Sequence, residues 1–166
     1  MNKKTIIGVM GPATSPNEKD LEDAFQLGKL IAQNGWILLT GGSAQGVMNE
    51  ANRGAKENSG LTIGVIKNQD SKISEFVDIP IITDVNDARN NINVLSSNFV
   101  VACGIGLGTT SEIALALKHG KEVILLNQTE ESLNFFKSWN KSNLHIANSP
   151  QQAIEMIEAN LKNNDK

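Results

Sequence analysis

Short runs of aliphatic and β-branched residues, several without any polar side chain, alternate along this chain with longer stretches of helical period. A strand with no polar residue is satisfied only when both of its faces are covered, as in a parallel sheet flanked by helices. The runs lie at residues 5–10, 36–40, 61–66, 79–82, 99–103, 122–126 and, more weakly, 144–147. Between them the apolar spacing changes to 3.6, which predicts helices over 18–34, from Gly46 onward, over 87–97 and 110–119, and from Pro150 onward. Right-handed crossovers then favour an α/β fold: one Rossmann-like, doubly wound, mostly parallel sheet with helices on both faces, a single domain over residues 1–166.

In the first predicted helix Leu21, Ala24, Phe25, Gly28 and Ile31 share one stripe, and Gly35 stops the last turn. Val47, Ala51 and Ala55 mark the inner face of the second, and Ile92 and Leu95 the apolar contacts of the third. The fourth contains Ile113-Ala114-Leu115-Ala116-Leu117, five consecutive apolar residues that point all around a helix. Such a helix is either central to the core or covered by a second subunit, and the second alternative predicts a homo-oligomer, a dimer or tetramer. Ser149-Pro150-Gln151-Gln152 supplies an N-cap, a first-turn proline and a capping-box glutamine ahead of inward-facing Ile154, Ile157 and Leu161. Residues 162–166 read as a frayed polar tail, and Trp36 and Trp139 as packing residues.

Fifteen basic against eighteen acidic side chains leave a net charge of −3, which offers no clustered cation surface for nucleic acid or an anionic membrane. The first ten residues carry too short an apolar stretch for a signal peptide, and no later run approaches membrane-spanning length, so a soluble, cytoplasmic protein is expected. Cys103 is the only cysteine and His119 and His145 lie far apart, so no structural metal site is expected.

Seven of the fourteen glycines fall at three strand-to-helix junctions: Gly11; Gly41, Gly42 and Gly46; and Gly104, Gly106 and Gly108. These junctions share the carboxyl edge of the predicted sheet, where glycine lets backbone N–H groups approach an anion. A phosphate-bearing small molecule is therefore the expected ligand. Its expected contacts are Gly11, Gly41, Gly42, Ser43, Gly46, Arg89, Gly106, Leu107, Gly108, Thr109 and Thr110. The pattern is neither a Walker loop nor a Gly-x-Gly-x-x-Gly fingerprint after the first strand.

Glu112 stands three residues after Thr109, the spacing of a capping box, yet a carboxylate beside this loop also suits a base or the stabiliser of an oxocarbenium-like centre. Arg89 falls in a first helical turn, where the dipole disfavours a cation. Either Asp84 and Asp87 compensate it, or its planar fork meets a phosphate oxygen. Arg53, near Lys56, reads as a solvated face. Cys103 is either a buried structural thiol or a contact to ligand or soft metal. His119 suits a helix C-terminus, and His145 has no evident role.

Three ordered motifs resemble the Lonely Guy-like (LOG-like) Rossmann superfamily across about residues 5 to 126: Thr40-Gly41-Gly42-Ser43-Ala44-Gln45-Gly46-Val47-Met48, then Asp87-Ala88-Arg89-Asn90, then Gly106-Leu107-Gly108-Thr109-Thr110-Ser111-Glu112 with the following Ile113-Ala114-Leu115-Ala116. Enzymes of that superfamily cleave nucleoside 5′-monophosphates using Pro-Gly-Gly-x-Gly-Thr-x-x-Glu and an upstream Arg-Lys pair. On this resemblance Glu112 and Arg89 occupy the catalytic positions. Gly104 replaces the proline, Ile105 the first glycine and Asn90 the lysine. The chain thereby looks more like the small branch of molybdenum cofactor carrier proteins, which bind their phosphate-bearing pterin without transforming it. The resemblance implies a carrier of molybdenum cofactor, with a cytokinin-activating type of phosphoribohydrolase or a nucleotide-sensing domain as the alternatives.

Overall fold

Seven strands, β1 (Ile6–Met10), β2 (Ile37–Thr40), β3 (Leu61–Ile66), β4 (Ile79–Ile82), β5 (Phe99–Cys103), β6 (Glu122–Leu126) and β7 (Leu144–Ile146), form one sheet in the order β4-β3-β2-β1-β5-β6-β7. Every neighbouring pair is parallel, in the computed structural model that describes residues 3–139 and 141–164. The last two residues of the expected frayed tail lie outside the described residues, as do Met1 and Asn2 at the start. From β1 the chain winds outward through β2, β3 and β4, then returns to place β5 on the other side of β1. That reversal separates the loops after β1 and β5 and opens a crevice at their carboxyl ends.

Two cores sandwich the sheet. On one face α1 (Glu18–Gln33), α2 (Gly46–Glu57) and α6 (Pro150–Asn164) contribute Ala24, Leu27, Ile31, Val47, Ala51, Ile154 and Ile157; on the other α3 (Arg89–Ser96), α4 (Leu107–Lys118) and α5 (Glu130–Lys137) contribute Val94, Ile113, Ala116 and Phe136. β5 shows why a central strand has no polar residue: Phe99, Val101 and Cys103 enter the first core while Val100 and Ala102 enter the second. Helix α1 lies on α2 with backbones almost touching. An ideal Cβ at Gly28 would sit 1.9 Å from the Ala51 carbonyl oxygen, and one at Gly54 2.0 Å from that of Phe25.

The predicted strands and the doubly wound layering are reproduced, and the corrections concern helices. Helix α4 begins at Leu107, three residues before the expected Thr110, with extended Gly106 as its N-cap. Gly108 is thus helical, because a first turn tolerates glycine where a loop was expected. Thr109 is therefore no N-cap, and the Thr109–Glu112 capping box does not form. In α3 the expected apolar contacts Ile92 and Leu95 are exposed, while Arg89, Asn93 and Val94 face inward. On α1 the buried set is Asp20, Asp23, Ala24, Leu27, Gly28 and Ile31, with Leu21 and Phe25 only half-buried. Arg53 is not simply solvated: its guanidinium lies 4.3 Å from the centroid of the Phe25 ring and pairs with Glu50 and Glu57.

Of the five-residue apolar run, Ile113, Ala116 and Leu117 are buried within the chain, Leu115 is half-buried and Ala114 is exposed. Most of that helix is therefore covered without a second subunit. Trp139 is 62% exposed, stacked edge-to-face on exposed Phe135 rather than packed in a core. Helix α6 continues to Asn164, so the expected fraying does not begin at Lys162. Ser149 Oγ accepts from Gln152 N–H, as an N-cap should, while the Gln152 side chain reaches the amide of Asn148, one residue earlier than the capping-box position.

Candidate ligand-binding cleft

A cleft of about 1010 Å³ opens at the carboxyl ends of β1, β2 and β5. It gathers Gly11, Gly41, Gly42, Ser43, Arg89, Gly106, Leu107, Gly108, Thr109 and Glu112 from the residues expected at the site, and leaves Gly46 and Thr110 outside its wall. Gly46 instead packs under the first loop, where an ideal Cβ would meet the Pro12 carbonyl oxygen at 2.3 Å. Thr110 turns its hydroxyl back to donate to the Gly106 carbonyl at 2.9 Å. Gly104, at φ +74°, turns the chain out of β5, and a Cβ there would strike the Asp20 carboxylate at 2.7 Å.

Arg89 is 7% exposed, and its Nη1 donates to the backbone carbonyls of Gly41 and Val65, bracing the ends of β2 and β3. Its Nε is buried without a hydrogen-bond partner among the described residues. Asp87 pairs with Lys67 at 2.5 Å rather than with Arg89, and burial pulls the guanidinium down from its usual range while Glu112 opposes the shift. Thr109, 2% exposed, likewise has a buried hydroxyl oxygen with no partner among the described residues. Glu112 is 7% exposed and accepts a hydrogen bond at 2.8 Å from the Nδ2 of Asn93, which is fully buried. Burial pushes the Glu112 acid up to about 7, against the opposing pull of Asn93 and Arg89.

The manner in which the helices begin follows the cleft. Away from it, α1 is capped by Asn17, α5 by Thr129 and α6 by Ser149. At the cleft, α2 and α4 have no side-chain cap, and α3 continues a single 3-10 turn (Asn86–Ala88) without one. Leu107, in the first turn of α4, is 93% exposed. At α4 the first-turn N–H groups carry the positive end of the helix dipole toward the cleft, whereas at α2 the Val47 N–H is taken by the Pro12 carbonyl.

Sequence reasoning missed the segment between β3 and β4, which forms one wall. Ala44 N–H donates to Lys72 O, Ser74 N–H to Gly42 O, and Ser74 Oγ to Asn49 Oδ1, so Ser71 and Lys72 are sewn beside the Gly41–Ser43 loop. A polar stretch without periodicity gives no sign of such docking. Asn93 was missed because a mid-helix asparagine reads as solvent-facing. Cys103 is buried on the far side of β5, its thiol directed at the Asp20 carbonyl and pushed up by burial, and it does not line the cleft. His119 sits at the C-cap of α4, and His145 lies 2.6 Å from the Glu122 carboxylate at the opposite end of the sheet from the cleft loops. Among the described residues no group of three or more His, Cys, Asp or Glu is placed to hold a metal, and no helix is long and apolar enough to cross a membrane.

A glycine-walled cleft at the switch point of a doubly wound parallel sheet defines a Rossmann-like domain. Residues 4–154 match the SLOG cluster4 family, and the chain belongs to that family. It is 52% identical to the molybdenum cofactor binding protein of Rippkaea orientalis, whose structure superposes with a TM-score of 0.93 over 96% of this chain and 98% of that one. The Moco carrier protein of Chlamydomonas reinhardtii is 50% identical, with a TM-score of 0.92 over 97% and 99% of the two chains. An uncharacterized protein of Archaeoglobus fulgidus is 42% identical over 120 residues, 72% of this chain and 78% of its own. The likeness to the carrier branch expected from the motifs is thus borne out.

Proposed function

We propose that this protein is a cytoplasmic carrier of molybdenum cofactor, holding the cofactor's phosphate at the start of α4, between Gly106 and Thr109. The observation that carries the reading is a pair of cleft-lining side chains, Thr109 and Arg89, whose buried Oγ1 and Nε have no hydrogen-bond partner among the described residues. Buried polar atoms are nearly always satisfied, so two orphans beside an uncapped helix start suit an oxyanion supplied from outside. The cleft is large enough for a pterin as well as its phosphate. The half-identical carriers support the choice of cargo. Purified protein mixed anaerobically with released molybdenum cofactor is expected to retain it saturably through gel filtration and to slow its oxidation. No retention under these conditions would refute the carrier.

One observation favours a second reading. Arg89 and Glu112, the pair that the resemblance places in catalysis, do line the same cleft. Free base and ribose 5-phosphate from AMP or an N6-substituted AMP would establish a phosphoribohydrolase, while AMP binding without turnover would indicate a nucleotide sensor. The carrier predicts neither.

Self-association is part of the same proposal, now resting on a different surface. Exposed Ile79, Ile81 and Ile82 of the edge strand and Ile92 and Leu95 of α3 are apolar area of the kind a symmetric partner covers. Light scattering at micromolar concentration is expected to give an even multiple of 17.9 kDa. A monomer mass would sink the idea.

A further inference from the structure

We propose that Gln128 is a positioning residue of the cleft: its side-chain amide, outside the cleft wall, holds the Gly104 carbonyl and so aims the N–H of Ile105 at the bound anion. The inference rests on the proposed function only in that an oxyanion occupies the start of α4. It adds a backbone donor to that site and names the side chain that orients it.

Three carbonyls converge on one amide. Gln128 Nε2 donates to the carbonyl of Gly104 at 2.6 Å, of Leu126 at 3.2 Å and of Ala102 at 3.3 Å. Its Oε1 accepts from the Ser132 hydroxyl at 2.9 Å, so the nitrogen of the amide, and not its oxygen, faces the carbonyls. Ala102 and Leu126 lie within β5 and β6, whose parallel pairing already reaches Cys103 opposite Leu126. Gly104 lies just beyond that pairing. Its N–H still donates to the Leu126 carbonyl at 2.9 Å, and its φ of +74° then turns the chain out of the sheet. The shortest of the three Gln128 bonds therefore fixes the one peptide plane that the sheet itself leaves free.

In a trans peptide the carbonyl and the N–H of the next residue point in opposite directions. Gln128 lines a separate pocket of about 260 Å³ with Leu133 and Asn148, so the Ile105 N–H, opposite the carbonyl that Gln128 holds, points away from that pocket. Ile105 lines the cleft, and its N–H has no acceptor among the described residues. Its side chain packs against the second core, which leaves the backbone of the turn open. On the other side of Ile105 the Gly106 carbonyl accepts from the Thr110 N–H at 2.8 Å and the Thr110 hydroxyl at 2.9 Å. The turn is thus pinned both before and after the free donor, one helical turn ahead of the unpartnered Thr109 hydroxyl. A donor fixed in this way binds an anion more tightly than one on a loose loop, because its freedom is lost on folding and not on binding.

The test titrates inorganic phosphate into the full chain, isotopically labelled at isoleucine and threonine nitrogen, as wild type, Gln128→Met and Ser132→Ala, well below each protein's melting temperature. In wild type the Ile105 and Thr109 amide signals are expected to move together on one binding curve. Gln128→Met keeps the length of the side chain and removes its donor. It is expected to bind phosphate about tenfold more weakly and, at saturation, to show the Thr109 shift without that of Ile105. Ser132→Ala frees the amide to rotate, and is expected to weaken binding about twofold to threefold and to reduce the Ile105 shift in part; it decides alone if Gln128→Met does not fold. A side chain that only braced β5 on β6 would lower the melting temperature and leave both shifts intact at saturation. That outcome overturns the positioning role, as does an Ile105 signal that phosphate does not move in wild type. Retention of molybdenum cofactor by wild type is measured anaerobically in parallel. The expected phosphate results with no cofactor retained overturn the carrier and leave the positioning role standing, and cofactor retained with Ile105 unmoved does the reverse. Absence of either ligand's binding overturns both.

Discussion

Gly28→Val is expected to destabilise the protein by about 3 kcal/mol or more, enough to remove a large part of the stability of a domain this size. The Cβ position lies 1.9 Å from the Ala51 carbonyl oxygen and 2.9 Å from Ala55 N, so the obstacle is backbone and cannot swing aside. The only relief is for α1 to separate from α2, and Leu27 and Ile31 on one helix and Ala51 and Ala55 on the other are buried in that core. A urea midpoint compared between wild type, Gly28→Val and Gly108→Ala checks it. Gly108 has open space around its Cβ position, and its variant should stay within about 1 kcal/mol of wild type. Equal midpoints for all three would show that the two helices are not locked as described.

Arg89→Met is expected to remove ligand binding by at least a hundredfold and to cost about 2–4 kcal/mol of stability. Two effects combine. The Gly41 and Val65 carbonyls lose their shared donor in a buried place, which loosens the junction of β2 and β3. The cleft also loses a guanidinium whose Nε has no partner among the described residues, and with it the positive charge that would face an anionic ligand. Arg89→Lys separates these effects. It restores a positive charge but lacks both the planar fork and the Nε donor, so stability should recover in part while binding stays weak. Denaturation curves and cofactor titration on the three proteins are the measurement. Full binding in the Met variant would mean that Arg89 serves only as a brace.

The strands were readable because a central parallel strand tolerates no polar residue, and β5 and β6 carry none beyond the terminal Glu122. The cleft was readable because three glycine junctions on one edge leave few other uses for so much glycine. What escaped the sequence followed from local ambiguity. Gly106 and Gly108 look alike in a string of letters, yet one is extended and caps α4 while the other is already helical. Asn93 at a helical position facing the core is indistinguishable from the exposed Ile92 beside it until α4 is docked against α3. Helix α5 was overlooked because its eight residues offer only Leu133 and Phe136 to the second core, too few for a periodic signal. The wall at Ser71 and Lys72 depends on hydrogen bonds between segments some thirty residues apart, which no local pattern encodes.

The unequal capping of the helices also makes the solution around this protein part of its state. On the proposed reading, with the start of α4 uncapped beside the Thr109 hydroxyl, small oxyanions in the medium are expected to compete with the cofactor for the same donors. An anion present at a hundred times its dissociation constant adds about 2.7 kcal/mol to the folded state and lowers the apparent affinity of a true ligand about a hundredfold. On that reading, protein prepared in phosphate or sulfate is already loaded, and its melting temperature and its affinity for cofactor are joint properties of chain and buffer. On the carrier reading, the same competition supplies a route to unloading: a recipient that presents its own anionic surface to the cleft displaces the cofactor without any moving part in the protein.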